Sequence, residues 1–221
     1  MRAVVRKLRA VAGELGEVDP AAQYEMFRDR EFHYHLYEGE ACLVELDEEP
    51  PHQINPRALH VGLVVASMFG LKTPDELFVM RKSVVDGSNT SGFQRTCQIG
   101  IQTEGSVLET SKAPVRIESL FIEEEAAKID NKRSKGRTRH FSLSRLSIPL
   151  VELGTCPDIV DPEHAREVAE TIGLMLRATG AMKRGIGTIR QDVNISIFGG
   201  SRIEVKGWQD LRSLSKLVEN E

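Results

Sequence analysis

The chain has 221 residues, 40% hydrophobic and 28% charged, and its 29 basic against 33 acidic side chains leave a net charge of -4. That is ordinary composition for a folded domain, and the near-neutral balance excludes a protein wholly devoted to gripping polyanions while permitting a local basic site. No run approaches the roughly 18 apolar residues of a spanning helix, and Met1 to Gly13 interrupts its apolar residues with Arg and Lys where an export segment should be continuous. Cys42, Cys97 and Cys156 make neither a CxxC pair nor an even set, so the expectation is a reduced, cytoplasmic protein with no membrane span.

In chain order, Asp19-Pro20 opens a short amphipathic helix to about Arg28. Asn55-Pro56 opens a longer one in which Leu59, Leu63, Ala66 and Phe69 recur at helical spacing before Gly70. Both starts set a capping side chain before a proline, whose missing N–H costs nothing at the first helical position. Ala41–Leu46, Leu77–Val85, Gln94–Thr103, Val115–Glu123, Arg139–Leu143 and Ile148–Leu153 read as strands. Asp161 to Thr179 is the clearest helix: Asp161 caps it, Ala165, Val168, Ala169, Ile172, Met175 and Leu176 line one face, and Gly180 stops it. Ile189–Ile197 and Arg202–Lys206 are again strand-like. Strands that mostly follow one another without an intervening helix predict an α+β fold, a largely antiparallel sheet with a few amphipathic helices.

The last two strands permit a register argument. Alternation puts Arg190, Asp192 and Asn194 on the opposite face from Val193 and Ile195, and Glu204 and Lys206 opposite Ile203 and Val205. A two-residue Gly199-Gly200 turn would set Ile195 opposite Glu204 and mix the faces, whereas a three-residue loop of Phe198, Gly199 and Gly200 keeps them apart, setting Ser196 opposite Arg202, Asn194 opposite Glu204 and Asp192 opposite Lys206. The charged face suits a solvated salt-bridge network or a site gripping a charged substrate through a metal.

Other stretches carry chemistry. Glu152 lies in an apolar strand, where an unpaired carboxylate is costly, and Glu123, Glu124 and Glu125 repel unless some point outward or share a cation. Arg81 and Lys82 precede a loop rich in Ser, Thr, Asn and Gly that can offer N–H groups and hydroxyls to phosphate, although it lacks the GxxxxGK[ST] spacing. A plain polar turn has the same composition. His33 and His35 would share one face of a strand, with no third ligand at close spacing to complete a zinc site. Asn131 to His140 packs five cations around Gly136, as a solvated connecting loop or as a phosphate or RNA contact. None of the three cysteines stands in a recognisable nucleophile context and there is no GxSxG elbow, so if the reaction uses ammonia from an amide, another protein must release it.

Five stretches, in order, resemble the GatE family of archaeal glutamyl-tRNA(Gln) amidotransferases, and more distantly its GatB relatives of bacteria and organelles. They are Arg81-Lys82 with Asp86–Gln94, Phe121–Lys128, Ile148–Ile159, Gly187–Ser196 and Arg202–Gly207. The resemblance implies a catalytic cradle that, with ATP and Mg, phosphorylates the side-chain carboxylate of Glu on tRNA(Gln) and lets ammonia displace the phosphate. The ammonia would come from an asparaginase-like glutaminase, the partner in a hetero-oligomer. Carried over, Glu124 and Glu152 match the family's metal carboxylates. Arg81, Lys82, Ser88, Ser91 and Gln94, with Arg190, Asp192, Asn194, Glu204 and Lys206, would line the nucleotide and substrate cradle. The expectation is one catalytic domain fragment over residues 1–221, without the family's initial Glu-Ile-His strand, inserted domain and C-terminal tRNA-binding domains. Its alternatives are a non-catalytic tRNA- or partner-binding fragment and a GatB-type amidotransferase.

Overall fold

The computed structural model describes residues 2–12 and 15–221; Met1 and Gly13, the two ends of the charged N-terminal stretch, and Glu14 lie outside the described residues. Its elements are β1 (Arg2–Lys7), α1 (Pro20–Phe27), β2 (Glu31–Leu36), α2 (Pro56–Met68), β3 (Val79–Ser83), β4 (Phe93–Ile101), β5 (Val107–Leu108), β6 (Val115–Glu124), β7 (Lys128–Ile129), β8 (Thr138–Ser142), β9 (Pro149–Thr155), α3 (Pro162–Ala178), β10 (Gln191–Ile195), β11 (Ile203–Trp208) and α4 (Leu214–Asn220). The sheets run β1-β2-β8-β7, β3-β4-β6-β5 with β9 also on β6, and β10-β11. Pairing is antiparallel for β1–β2, β3–β4, β5–β6, β7–β8 and β10–β11, while β2 and β8 run parallel. The class is α+β, as expected. Among the described residues no helix is long and apolar enough to cross a membrane.

The three capped helix starts form as the sequence dictates. Asp19 Oδ1 accepts the N–H groups of Ala21 and Ala22 at 2.8 and 2.9 Å, Asn55 Oδ1 those of Arg57 and Ala58 at 2.9 and 3.2 Å, and Asp161 Oδ1 that of His164 at 2.8 Å. Although α1 forms, it buries none of its residues. Gly180 closes α3 at φ +69, a conformation in which a β-carbon is strained.

The chain folds into two compact units: Met1–Ala58, Glu76–Gln98 and Phe121–Glu152 form one, and Leu59–Asp75, Ile99–Leu120 and Leu153–Glu221 the other. In the first, Phe32, Tyr34, Ala127, Phe141, Leu143 and Leu146 make the core, with the Tyr34 and Phe141 rings stacked 5.8 Å apart. In the second, His164 is fully buried at the start of α3. Its Nδ1 accepts the Val160 N–H at 3.2 Å, so Nε2 carries the proton and donates to Thr110 Oγ1 at 2.8 Å, which passes its own hydrogen to the Ala113 carbonyl at 2.6 Å.

Two expectations need correction. Ala41–Leu46 is not a strand: Asp47 N–H donates to Val44 O at 3.0 Å, Glu48 N–H to Leu43 O at 2.9 Å, and Asp47 takes a positive φ of 57, all of which define a turn. Ala41 and Leu46 pack against the first unit's core, while Leu43 is exposed. The register of the last hairpin holds at Asn194 opposite Glu204, but the ladder stops at Ile195–Ile203 and a bulge lies between Gln191 and Val193, so the expected pairs Ser196–Arg202 and Asp192–Lys206 do not form part of it. The connection is therefore longer than three residues, and it turns where Gly200 N–H donates to Ile197 O at 2.9 Å.

Candidate functional site

In the first unit β3 pairs with β4 so that Lys82 stands opposite Gln94 and Arg81 opposite Arg95, and strand alternation sends the two pairs to opposite faces. On one face Glu123, 9% exposed, accepts hydrogen bonds from Thr96 Oγ1 at 3.1 Å, Lys82 Nζ at 3.3 Å and Gln94 Nε2 at 3.4 Å. On the other, Glu124 Oε1 meets Arg95 Nη2 at 2.5 Å while Oε2 accepts the Arg95 backbone N–H at 3.3 Å. Gln94 Nε2 spans the two by donating to the Glu124 carbonyl at 2.7 Å. The repulsion expected within Glu123–Glu125 is thus relieved by alternation and separate cations, and Glu125 Oε1 accepts the N–H of Ala126 at 3.2 Å.

Arginine opposite arginine is unfavourable on adjacent strands. Here Arg95 is matched by Glu124, and the Arg81 guanidinium lies 5.3 Å from the centre of the Phe93 ring. The Nε of Arg95 is buried without a hydrogen-bond partner, an unmet donor in a group otherwise committed to Glu124. A shallow cavity beside it is lined by Glu45, Asp47, Asn89, Ser91, Phe93 and Arg95.

The polar loop before β4 is tied chiefly to itself. Asp86 Oδ1 accepts both the N–H and the Oγ of Ser88, at 2.9 and 2.6 Å, and Asn89 Oδ1 does the same for Ser91 at 3.0 and 2.7 Å. Two of the N–H groups and both hydroxyls expected to face phosphate are engaged within the loop. Gly87, at φ +84, lies against the core: a β-carbon there would come within 2.2 Å of the Phe32 ring, and its carbonyl accepts the Tyr34 hydroxyl at 2.7 Å. Arg6 of β1 holds the neighbouring turn by donating to the Leu46 and Thr90 carbonyls and pairing with Asp47 and Glu48 at 3.4 and 3.3 Å.

Glu152 belongs to the first unit and is exposed on β9, so the burial penalty its apolar neighbours suggest does not arise. Arg190, Asp192, Asn194, Glu204 and Lys206 belong to the second. There Lys206 Nζ lies 3.1 Å from Glu204 and 3.5 Å from Asp192, and Asp192 Oδ1 accepts the Gly207 N–H at 2.7 Å across the bulge; all five residues are exposed.

The histidines gain a neighbour from afar. His33 pairs with His140 of β8, and His35 Nε2 lies 2.8 Å from His140 Nδ1 in stacked rings. Burial and the nearby imidazole and Arg133 charges hold the His35 and His140 rings below the ordinary histidine value. Among the described residues no three His, Cys, Asp or Glu side chains converge to hold a metal ion. Sequence reasoning left Arg95, Thr96 and Arg6 unassigned and weighed Glu123 without placing it; the parity of positions 94 to 96 against 123 and 124 was the available signal.

Comparison with known proteins adds the family context. Residues 21–221 match the GatB/GatE catalytic domain. The chain is 50% identical over 218 residues to the GatE-type glutamyl-tRNA(Gln) amidotransferase protein of Methanopyrus kandleri, covering 99% of this chain and 34% of that protein. It is 52% identical over 219 residues to the protein of the same name from Methanocaldococcus jannaschii, again 99% and 34%, and 49% identical over 220 residues to the one from Haloarcula marismortui, 100% and 34%. The chain therefore spans about a third of the length of the curated relatives it matches.

Proposed function

The chain belongs to the GatB/GatE catalytic-domain family, and from that premise we propose that it is the catalytic core of an archaeal-type, ATP-dependent glutamyl-tRNA(Gln) amidotransferase. In this reading ATP phosphorylates the side-chain carboxylate of Glu esterified to tRNA(Gln), with ADP leaving. Ammonia then attacks the acyl phosphate and expels inorganic phosphate, giving Gln-tRNA(Gln). The ammonia is released by a partner protein, an asparaginase-like glutaminase. A carboxylate is a poor acceptor for ammonia until one of its oxygens becomes a good leaving group, and the charge gathered during phosphoryl transfer calls for fixed cations.

The observation that carries this reading is the half-buried network of β3, β4 and β6, which brings Lys82, Gln94, Arg95 and Glu124 together with Glu123. Arg81 on the same strands adds an exposed guanidinium. Carboxylates are the hard oxygen donors that Mg takes, and Mg is usually held by one or two of them, with waters and phosphates completing its shell. Glu124 and Glu152 would hold it, and bound there it would offset phosphate charge. Ser88, Ser91 and the hairpin residues Arg190, Asp192, Asn194, Glu204 and Lys206 would serve the nucleotide and the aminoacyl end. A calorimetric titration of the chain with ATP, with and without Mg, tests the assignment beside a Glu124→Ala, Glu152→Ala double variant. Mg-dependent binding lost in the variant is expected, and undiminished binding by the folded variant would remove both carboxylates from the metal site.

A further inference from the structure

We propose that one end of the β1-β2-β8-β7 sheet, together with the connection 131–139, is a docking surface for the phosphate backbone of RNA. The choice of RNA over other polyanions rests on the function proposed above; the surface itself rests on the following geometry.

The strand register brings three chain segments to this end. Lys7, the last residue of β1, is opposite Glu31, the first of β2, which in turn is opposite Thr138, the first of β8. Adjacent strands lie about 4.8 Å apart, so the segments that lead into or out of these ends share one small area. They are rich in cations that outnumber their acidic partners. Asp29 is shared by Lys7 at 2.7 Å and Arg137 at 3.3 Å, and Glu25 by Arg28 at 2.9 Å and Arg30 at 3.0 Å. Arg133 has Asp130 at 3.4 Å. Arg139 donates only to the Gly136 and Thr138 carbonyls, and Lys132 and Lys135 are exposed with no carboxylate partner among the described residues. Eight cations thus face Glu25, Asp29, Glu31 and Asp130, in a chain whose net charge is -4.

Such a concentration on an otherwise acidic molecule makes a local positive field that attracts a polyanion by releasing its counterions. The connection 131–139 itself is polar and basic throughout, without the apolar anchor that dominates protein interfaces. The exposed rings lie instead on the α1 side, among arginines. Phe27 is 73% exposed just before Arg28, and the Arg28 guanidinium sits 5.7 Å from the centre of the Tyr24 ring. Aromatic faces beside cations are the platform on which unpaired bases stack.

The test is fluorescence anisotropy of a labelled tRNA transcript titrated with the chain across a salt series. It compares the wild type, a Lys132→Glu, Lys135→Glu variant, and a charge-matched Lys183→Glu, Lys216→Glu control in the other unit. Because Lys132 and Lys135 hold no carboxylate, their reversal breaks no ion pair, and circular dichroism checks the fold. The expected result is RNA binding that weakens at least about tenfold in the first variant, with the slope of log K against log salt shallower by about 2, and control binding within about twofold of wild type. Equal weakening in both variants, or no RNA binding by the wild type, would overturn the proposal. So would a first variant that keeps its RNA affinity while losing binding to polyglutamate-rich peptide, which would assign the surface to an acidic protein. Nucleotide is absent from the assay, so failure of the Mg-ATP titration leaves this result standing on its own.

Discussion

The carboxylates of β6 and those of the β10–β11 hairpin are both matched by cations of their own sheet, yet they stand in different solvents. Glu123 and Glu124 are largely withdrawn from water, the Arg95 and Glu124 side chains being 19% and 17% exposed. In the hairpin the Lys206 side chain is 71% exposed, with Glu204 and Asp192 also in water. The same alternation of charge along a strand therefore gives two different energies. A pair shielded from solvent is costly to break because its partner is left desolvated, whereas an exposed pair exchanges protein contacts for water at little net change.

The strongest way to break the comparison is from beneath the first network. Gly87→Ala would press a methyl group into the Phe32 ring at a φ that disfavours side chains, and we expect a loss of about 3 kcal/mol or more in urea unfolding. Full stability would mean that the loop moves aside freely. Next, Arg95→Met should cost about 2–3 kcal/mol by stranding Glu124, and an added Glu124→Leu should recover part of it. Additive losses in that cycle would show that the two residues are not coupled.

A pH scan probes the same unit at its stacked histidines. His35 and His140 have values below the ordinary 6.5, so they are neutral in the fold and the unfolded chain takes up their protons first. Their contribution is complete above pH 6.5 and is lost as pH falls below it. The thermal midpoint should drop over that window, and His140→Asn should flatten the drop; an unchanged slope in the variant would place the titration elsewhere. The smallest effect belongs to the hairpin, where Lys206→Ala should change stability by less than about 0.5 kcal/mol. A loss as large as that of Arg95→Met would erase the distinction between the two regions.

Much of the fold was legible because its signals are local. Asp19, Asn55 and Asp161 before prolines marked three helix starts, and the alternation of the last two strands placed Asn194 opposite Glu204, though not the bulge beside Gln191. What escaped depends on neighbours distant in sequence. β1 mixes apolar and basic residues on both faces and becomes a strand through pairing with β2, while β2 shows its Phe32 and Tyr34 alternation only once the core behind it is known. Ala41–Leu46 has a strand's composition but packs as a turn fastened by Arg6. In the site, Lys82, Gln94 and Glu124 were readable as chemistry-bearing residues. Arg95 was not, because its role follows from β4 lying beside β6, which places one arginine by one carboxylate of three.

The parallel pairing of β2 with β8 sets a timetable for the chain's synthesis. His35 and His140 meet across more than a hundred residues, and the first unit draws on three separate segments of sequence that end only at Glu152. Contacts of such long range close late and slowly. Phe32 and Tyr34 therefore leave the ribosome well before Phe141 can cover them, and for that interval the nascent chain carries an open sheet edge and an apolar face together, the condition under which a chaperone gains its hold.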